Sequence, residues 1–376
     1  MKRILRLTQE LIKINSENPP GRERKIAKFC YDFLKNYGYK PRILEFAPQR
    51  SNLLCSCKSE NSLRTILLSP HLDTVPAGEN WNLPPFSAKI LNNRIYGRGA
   101  SDCKGNLAVG LEVLAQLKEE KRKFRNLDIV FLATADEEAG SSLGFKPILN
   151  SLPRLDFGLI LDGSEFKIIY AQKGLLHLRI NILGKKAHGA YPERGENAII
   201  LSFNIYSQIR DLIKRLNKKD KKAQFTLNIG KIEGGEKVNM VADKCFMELD
   251  LRFRENESKE KLLNIFKKTI EKFTKAYSLK VLAYQPPVRA QRNNFWINCL
   301  KDTLLGENIK PHFEVSRGAT ILNFLLERGV EGVVFGFSTS QQAHATDEYI
   351  AIPNLYKGVR VLKNFLIKID NILDNE

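Results

Sequence analysis

Short hydrophobic runs alternate along the chain with stretches whose apolar residues recur at helical spacing. Near the start, two helical stretches flank a turn at Asn18-Pro19-Pro20-Gly21. The hydrophobic runs lack polar alternation, a pattern typical of strands that are covered on both faces of a sheet. They lie at 65–68, 129–133, 159–161 and 333–335. This alternation predicts an α/β fold with a three-layer α/β/α domain.

Residues 174–284 follow a different pattern. Apolar and polar residues alternate from Leu176 to Ile182, which predicts a strand with one exposed face. The predicted order of elements is β-α-β-β-α-β, the ferredoxin-like arrangement of an α+β domain. Because α/β strands precede and follow this segment, we interpret it as an inserted lid and dimerisation domain. Residues 1–173 and 285–376 then form one discontinuous domain, and we expect a homodimer through the insertion.

The charge of the chain raises nucleic-acid binding as an alternative function. Sixty Lys and Arg residues against 42 Asp and Glu residues give a formal net charge of +18. The basic residues are spread along the chain, and the densest clusters, at 121–123 and 218–222, are typical of exposed helix ends or turns. Because no basic stripe with interleaved aromatic residues is present, we expect no nucleic-acid partner.

The sequence predicts neither a membrane segment nor a secreted protein. No apolar run approaches the ~20 residues that span a bilayer, and the first residues lack the apolar core of a signal peptide. The six cysteines have no disulfide-framework spacing, which fits a reducing compartment. We therefore expect a cytoplasmic protein without a membrane partner.

Candidate chemistry gathers where the predicted strands end. His71 and Asp73 follow the strand at 65–68 and are two residues apart, so their side chains face the same way in extended backbone. We expect the Asp73 carboxylate to accept one imidazole N–H and to aim the other nitrogen of His71 at a metal ion.

Further carboxylates and a second histidine follow the other strands. Asp136-Glu137-Glu138 ends the strand at 129–133, Asp102 lies in a Gly-rich turn, Asp162 ends the next strand and His344 follows the last. Helix caps and solvated acids would explain any one of these clusters. Because open α/β sheets bind ligands beyond the carboxyl ends of their strands, the clusters together favour a two-zinc centre.

Four sequence strings carry a resemblance to one enzyme family. They are His-Leu-Asp-Thr-Val-Pro at 71–76, Gly-Arg-Gly-x-x-Asp-x-Lys-Gly at 97–105, Asp-Glu-Glu at 136–138 and Ala-His-x-x-Asp-Glu at 343–348. The chain resembles the zinc amidohydrolases and peptidases that include acetylornithine deacetylase, succinyl-diaminopimelate desuccinylase, aminoacylase and glutamate carboxypeptidase. The likeness runs in order from Asn18 to Glu348 and includes 187–192 in the insertion.

The resemblance implies a set of metal ligands. One zinc ion would be held by His71, Asp102 and Asp162, and the other by Asp102, Glu138 and His344. Asp102 would therefore bridge the two ions. Co²⁺ or Mn²⁺ are possible substitutes for Zn²⁺.

The resemblance also implies roles for residues that are not ligands. Glu137 would be the general base, and Asp73 would orient the first ligating histidine. His188 would stabilise the oxyanion and, as in dimeric relatives, could come from the partner subunit; capping of its own turn is the structural alternative. Asn239 and Arg252 would contact the substrate, with Arg252 on a carboxylate.

Three positions depart from the family pattern. Arg317 and Gly318 stand at a substrate-binding segment where the family often has Gly-Thr-Ser-Asp, so that an acid is missing near Ile321. Asp162-Gly163 replaces the Glu-Pro of many deacylases, and Cys103 stands where Met is frequent. These departures leave the substrate open.

The sequence thus predicts a zinc-dependent hydrolase that cleaves the amide bond of an N-acyl amino acid. A metallo-exopeptidase acting on short peptides, either a carboxypeptidase or a dipeptidase, is the alternative within the same chemistry. A metal-free binding or regulatory protein is the alternative outside it. The acyl group, the amino acid and the pathway are not indicated by the residues.

Overall fold

The computed structural model describes residues 2–219, 225–255 and 257–374. They belong to two compact units. The first comprises Met1–Tyr170, Ala290–Val315 and Thr320–Glu376, and the second comprises Ala171–Arg289 and Ser316–Ala319. Of the basic cluster at 218–222, residues 220–222 lie outside the described part of the chain.

The elements alternate between strand and helix, as the hydrophobic pattern predicts. Those that begin before residue 171 are α1 (Lys2–Lys13), α2 (Glu23–Asn36), β1 (Arg42–Ala47), β2 (Arg50–Cys57), β3 (Arg64–Ser69), β4 (Ile90–Leu91), β5 (Arg94–Tyr96), α3 (Gly105–Glu119), β6 (Leu127–Ala133), α4 (Phe145–Leu149), β7 (Phe157–Ile160) and β8 (Lys167–Gln172). Residues 171–289 contain β9 (Gly174–Leu183), α5 (Ala198–Lys219), β10 (Thr226–Gly234), β11 (Lys244–Phe253), α6 (Lys259–Ile270), β12 (Tyr277–Gln285) and β13 (Val288–Arg289). The remainder contains α7 (Phe295–Gly306), β14 (His312–Ser316), α8 (Leu322–Leu326), β15 (Gly332–Val334), β16 (Tyr349–Ala351) and α9 (Ile352–Leu373).

The large sheet of the first unit has the strand order β1-β2-β6-β3-β7-β15-β8. Its central strands β6, β3, β7 and β15 are parallel. Every residue of β6 and β7 is buried, which explains the continuous apolar run at 129–133 in β6 and the apolar sequence of β7. Because these strands are parallel, their carboxyl ends meet at one edge of the sheet, and the segments that follow them are brought together there.

Helices cover both faces of this sheet. On one face α3 packs so closely that a Cβ added to Gly110 would lie 2.7 Å from the Phe131 ring of β6. On the other face α4 and α8 contribute Phe145, Ile148, Leu322 and Leu325 to a core with sheet residues. The α/β fold class and its three layers are therefore as the sequence predicts.

The second unit is built on a four-stranded antiparallel sheet with the order β10-β11-β9-β12. Buried residues alternate with half-buried ones along β9 and β11. The buried side chains pack against α5 and α6 on one face of the sheet. The β-α-β-β-α-β order agrees with the ferredoxin-like pattern in the sequence.

The chain passes between the units at different positions from those predicted. The passages lie at 170/171 and 289/290, against 173/174 and 284/285 in the prediction. In addition, residues 316–319 belong to the second unit, because the Lys173 N–H donates to the Ser316 carbonyl at 3.1 Å. Among the described residues, no helix combines the length and the apolar character needed to cross a bilayer.

Candidate metal centre

His71 follows β3, and a hydrogen bond at one nitrogen of its ring sets the direction of the other. Its Nδ1 lies 2.9 Å from the carbonyl oxygen of Asp73, and because a carbonyl only accepts, Nδ1 carries the proton. Nε2 is then turned toward two carboxylates, at 2.9 Å from Asp102 Oδ1 and 3.6 Å from Asp162 Oδ1. Asp162 follows β7, the strand beside β3. This is the arrangement of a ligating imidazole oriented by the backbone.

His344 faces the other side of the same Asp102 carboxylate. Its Nε2 lies 3.3 Å from Asp102 Oδ2 and 3.1 Å from Glu138 Oε2. Asp102 therefore presents one oxygen to His71 and the other to His344, as a carboxylate that bridges two cations does. Glu138 Oε1 is buried, and no hydrogen-bond partner for it is found within the described residues.

The negative charge of this cluster exceeds its positive charge. The carboxylates of Asp73, Asp102, Glu137, Glu138 and Asp162 surround two imidazoles. Burial raises the pKa of Glu137 well above its ordinary value and that of Asp162 to about 6. Hydrogen bonds to Asp102 and Glu138 raise the pKa of His344 to about 10. Divalent cations would relieve this repulsion, and the mixed nitrogen and oxygen donors suit zinc. The residues therefore fit a metal site.

The contacts of the Asp73 carboxylate differ from those expected from the sequence. Its Oδ1 is 3.6 Å from His71 Nδ1, which hydrogen-bonds the Asp73 carbonyl instead. The carboxylate accepts the backbone N–H groups of Glu137 at 3.1 Å and of Glu138 at 3.2 Å. Asp73 thus holds the turn after β6 as well as the histidine. Burial acts to raise the pKa of Asp73, but the neighbouring His71, the Asn18 amide and the Glu137 N–H outweigh it and lower this pKa.

Glu348 is a functional candidate to which the sequence assigned no role. It is fully buried and accepts the N–H groups of Gly99, Ser101 and Asp102 at 2.7–2.9 Å. Its other contact is the Arg98 guanidinium at 2.7 Å. Glu348 follows His344 by four residues, so one loop carries a ligand candidate and also holds the turn that carries Asp102.

The side chain of Cys103 contacts the backbone of His71. The Cys103 Sγ accepts the His71 N–H at 3.1 Å. Burial raises the pKa of the thiol to about 12, so the sulfur stays protonated and is a poor ligand. Although Cys103, His71 and Asp162 are close enough to share an ion, the carboxylates are the better donors.

The predicted oxyanion histidine and one predicted substrate contact lie together at one end of the second unit. His188 pairs with Met240 in a short bridge beyond β9, and the Gly189 N–H donates to the Asn239 carbonyl at 2.8 Å. His188 and Asn239 are both exposed. The Ala190 N–H donates to His188 Nδ1 at 3.1 Å, so the turn orients the ring and leaves Nε2 outward.

The other predicted substrate contacts lie elsewhere in the second unit. Arg252 is near the end of β11, opposite Leu175, and its guanidinium forms a bidentate pair with Asp250 at 2.8 and 3.0 Å. Arg317 and Gly318 are exposed, and they lie in the chain segment tied to Lys173. From Lys244 to Arg252 the strand spans ~26 Å at ~3.3 Å per residue. The structure therefore does not bring Arg252 together with His188 within one copy of this unit.

Comparison with curated proteins finds relatives along nearly the whole chain. A probable succinyl-diaminopimelate desuccinylase of Staphylococcus aureus is 27% identical over 402 residues, covering 98% of this chain and 97% of the relative. The succinyl-diaminopimelate desuccinylase of Orientia tsutsugamushi is 29% identical, with 97% and 96% covered. An acetylornithine deacetylase of Vibrio cholerae is 28% identical, with 93% and 92% covered.

Solved structures share the fold of the chain. A tripeptidase from Staphylococcus aureus superposes with a TM-score of 0.83 at 24% identity and 98% coverage of both chains. A dinuclear metal-binding peptidase from Bacillus subtilis superposes with a TM-score of 0.73 at 15% identity, again with 98% of both chains covered. Residues 67–368 match the peptidase family M20/M25/M40. The chain therefore belongs to peptidase family M20/M25/M40, and it is a metal-dependent enzyme that hydrolyses amide bonds.

Proposed function

We propose that this enzyme uses two zinc ions to cleave the amide bond of an N-acyl amino acid. The observation that carries the proposal is the placement of Asp102, whose two oxygens face two different histidines. A single ion would leave one histidine and one carboxylate without a partner. The first ion would take His71, Asp102 and Asp162, and the second Asp102, Glu138 and His344. Co²⁺ or Mn²⁺ could replace Zn²⁺.

Zinc bound there supplies Lewis acidity, which lowers the pKa of water and polarises the amide carbonyl. Glu137 is the general base. It takes one proton from the attacking water as the oxygen–carbon bond forms, and gives it to the nitrogen as the carbon–nitrogen bond breaks. The products are a carboxylate and an amine. Asp73 fixes Glu137 for this work by accepting its backbone N–H.

We also propose that the enzyme acts as a homodimer. His188 and Asn239 lie at the opposite end of β11 from Arg252, so one copy of the second unit cannot bring all three to one small substrate. If Arg252 binds the substrate carboxylate, His188 reaches the developing oxyanion from the second copy. The distance within one unit thus favours an in-trans role of His188 over one in which the same copy supplies both residues.

An apolar surface on the second unit suits a second copy of this chain. Near the start of α5, Ile199, Ile200 and Phe203 are 40%, 58% and 65% exposed. Beside them lies the edge strand β10, where Ile232 is 51% exposed. An unpaired strand edge next to exposed apolar side chains is a surface that symmetric dimers commonly cover. This apolar surface lies at the same end of the second unit as His188. A dimer formed through it would therefore bring His188 toward the partner subunit.

The curated relatives favour an N-acyl amino acid, since they are named as a desuccinylase and a deacetylase. The structural neighbours named as peptidases keep a short-peptide substrate as the second candidate. A hydrolysis screen over succinyl-amino acids, acetyl-amino acids and dipeptides, run on zinc-loaded and chelator-treated protein, separates them. We expect turnover of an acyl-amino acid that is lost on chelation. Turnover of dipeptides alone would favour the exopeptidase, and full turnover without metal would exclude both.

A further inference from the structure

We propose that Asn18 is a positioning residue that sets the Asp73 carboxylate, and through it the general base Glu137. The turn at Asn18-Pro19-Pro20-Gly21 stands out in the sequence but contributes no metal ligand and no proton. The inference rests on the proposed role of Glu137, and it assigns this turn a role in positioning that residue.

The segment that carries Asn18 lies against the residues after β3. The Asn18 N–H donates to the Thr74 carbonyl at 2.8 Å, and the Thr74 N–H donates to the Ser16 carbonyl at 3.1 Å. Asn18 is 7% exposed. Its side-chain Nδ2 lies 2.9 Å from Asp73 Oδ2 and 3.3 Å from Asp136 Oδ1. One amide nitrogen therefore directs its two hydrogens to two buried carboxylates.

Asp136 is itself held in place by Arg50. Its Oδ1 accepts from Arg50 Nη2 at 2.7 Å, and Arg50 forms a bidentate pair with the fully buried Glu23. The Asp136 N–H lies 3.3 Å from Glu23 Oε1. Asp136 has a φ of +61°, a strained backbone for a residue with a side chain, which these contacts maintain.

Gly21 makes room for the Arg50 guanidinium. Its φ is +86°, and a Cβ at this position would lie 2.3 Å from Arg50 Nε. A side chain here would therefore displace Arg50 from Glu23 and Asp136. Asn18, Gly21 and Glu23 thus act on one buried network that begins at the turn and ends at the Asp73 carboxylate.

The network matters for catalysis because Asp73 has two sets of neighbours. Its Oδ2 accepts from Asn18 and from the Glu138 N–H, and its Oδ1 accepts from the Glu137 N–H. Without the amide donor, the Asp73 and Asp136 carboxylates would repel each other, and Asp73 would move. The turn that holds Glu137 would move with it, and displacements of ~1 Å at a reacting group cost ~10²-fold in rate.

The test compares Asn18→Ala with Asn15→Ala, both in the zinc-loaded enzyme. Asn15 is a matched control, since its side-chain nitrogen also donates to a carboxylate, Glu17 Oε2 at 2.9 Å, but reaches no residue of the network. We expect Asn18→Ala to lower kcat by ~10²-fold with KM and zinc content unchanged. We expect Asn15→Ala to retain kcat.

A second readout needs no substrate. In metal-free protein, hydrogen exchange of the Glu137 and Glu138 amides should be faster in Asn18→Ala than in wild type or Asn15→Ala. Asn18→Gln keeps the side-chain amide donor, so its kcat and its amide exchange rates should lie between those of Asn18→Ala and those of wild type. If Asn18→Ala does not fold, Asn18→Gln is compared with wild type in its place. Equal kcat and equal exchange in all variants would overturn the inference. A wild type that hydrolyses neither acyl-amino acids nor peptides would instead overturn the proposed function, and the exchange comparison would still stand.

Discussion

The candidate metal centre of the first unit and the predicted substrate contacts of the second unit are held very differently. The side chains of His71, Asp102, Glu138 and Asp162 are at most 16% exposed, and the three carboxylates face imidazole nitrogens; His344 is the more open ligand candidate, at 54%. His188, Asn239, Arg317 and Gly318 are exposed, and they lie at two separate ends of their unit. Metal chemistry needs ligands that stay in place, whereas substrate contacts are completed when the substrate or a partner arrives.

The difference shows which parts of a site one chain can build alone. Adjacent parallel strands deliver side chains to one edge, so the ligand candidates converge without help from another molecule. The antiparallel sheet of the second unit instead separates residues along β11 by ~26 Å at ~3.3 Å per residue. The first site is therefore a property of the fold, whereas the role proposed for the second depends on the proposed homodimer.

Removing the carboxylate between the two histidines should have the largest effect. We expect Asp102→Asn to lose affinity for both zinc ions, with a rate loss beyond the ~10²–10⁴-fold that follows removal of an acid–base group. Asp128→Asn is the matched control, because Asp128 is also buried in the first unit but binds Lys58 and Ser59 at the other end of β6. Metal analysis by mass spectrometry should show zinc lost only from Asp102→Asn. Equal zinc content in both variants would contradict the bridging role.

Substitutions at two adjacent glutamates should distinguish the role of general base from that of metal ligand. Glu137→Gln should keep both metals and lose ~10²–10⁴-fold in kcat, because the base is not a ligand. Glu138→Gln should lose metal affinity, since Glu138 Oε2 faces His344. Zinc titration and steady-state kinetics on both variants check the division. The same metal affinity and the same residual rate in the two would show that it is wrong.

The role of His188 in the second unit can be tested by a substitution that leaves every proposed metal ligand in place. His188→Ala should lower kcat by ~10²–10³-fold, as loss of an oxyanion donor does, with zinc content unchanged. Mixing His188→Ala subunits with Glu137→Gln subunits should restore activity, since such a heterodimer has one intact composite site. A fully active monomer in sedimentation would rule out the in-trans role.

The hydrogen bonds behind the metal centre should have a moderate effect. Glu348→Gln loses an acceptor for the N–H groups of the Asp102 turn, and we expect zinc affinity to fall by ~10–100-fold, as for other groups that orient ligands. Calorimetric zinc titration measures this change. Unchanged affinity with a lowered melting temperature would mean that Glu348 acts on stability alone.

The smallest effect concerns stability in acid. Burial acts to raise the pKa of Asp250, but hydrogen bonds from His177 and Arg252 outweigh it and lower this pKa to about 2. Since the folded value lies below the unfolded ~3.9, the stabilisation is present above pH ~4 and is lost as the pH falls toward 2. Asp250→Asn should therefore flatten the fall in unfolding free energy over this window, as measured by urea denaturation. An unchanged pH dependence would contradict the pairing.

Much of the fold, and the position of several ligand candidates, follows from local sequence. The continuous apolar runs predict buried strands, and polar residues directly after them, such as His71 and Asp162, follow from the geometry of parallel sheets. The order of elements in the second unit also follows from alternation along β9. These features depend on neighbours in sequence, so periodicity reveals them.

Contacts between distant residues were beyond sequence reasoning. Glu348 binds residues about 250 positions earlier in the chain, and Arg50 reaches Asp136 across 86 positions. Neither contact produces a periodic pattern. The two-residue spacing places the Asp73 and His71 side chains on the same side of the chain, so the Asp73 carboxylate was expected to accept the His71 imidazole N–H. The backbone N–H groups of the turn after β6 compete for the same carboxylate oxygens. Residues 316–319 group with the second unit, where the Lys173 N–H donates to the Ser316 carbonyl, and local sequence gives no sign of this contact.

The central claim is a centre for two ions that share Asp102. Anomalous diffraction at the zinc edge from a zinc-loaded crystal tests it most directly. The account predicts two peaks, one beside His71 and Asp162 and the other beside Glu138 and His344, with the Asp102 carboxylate between them. A single peak, or peaks that leave Asp102 without a metal contact, would contradict it.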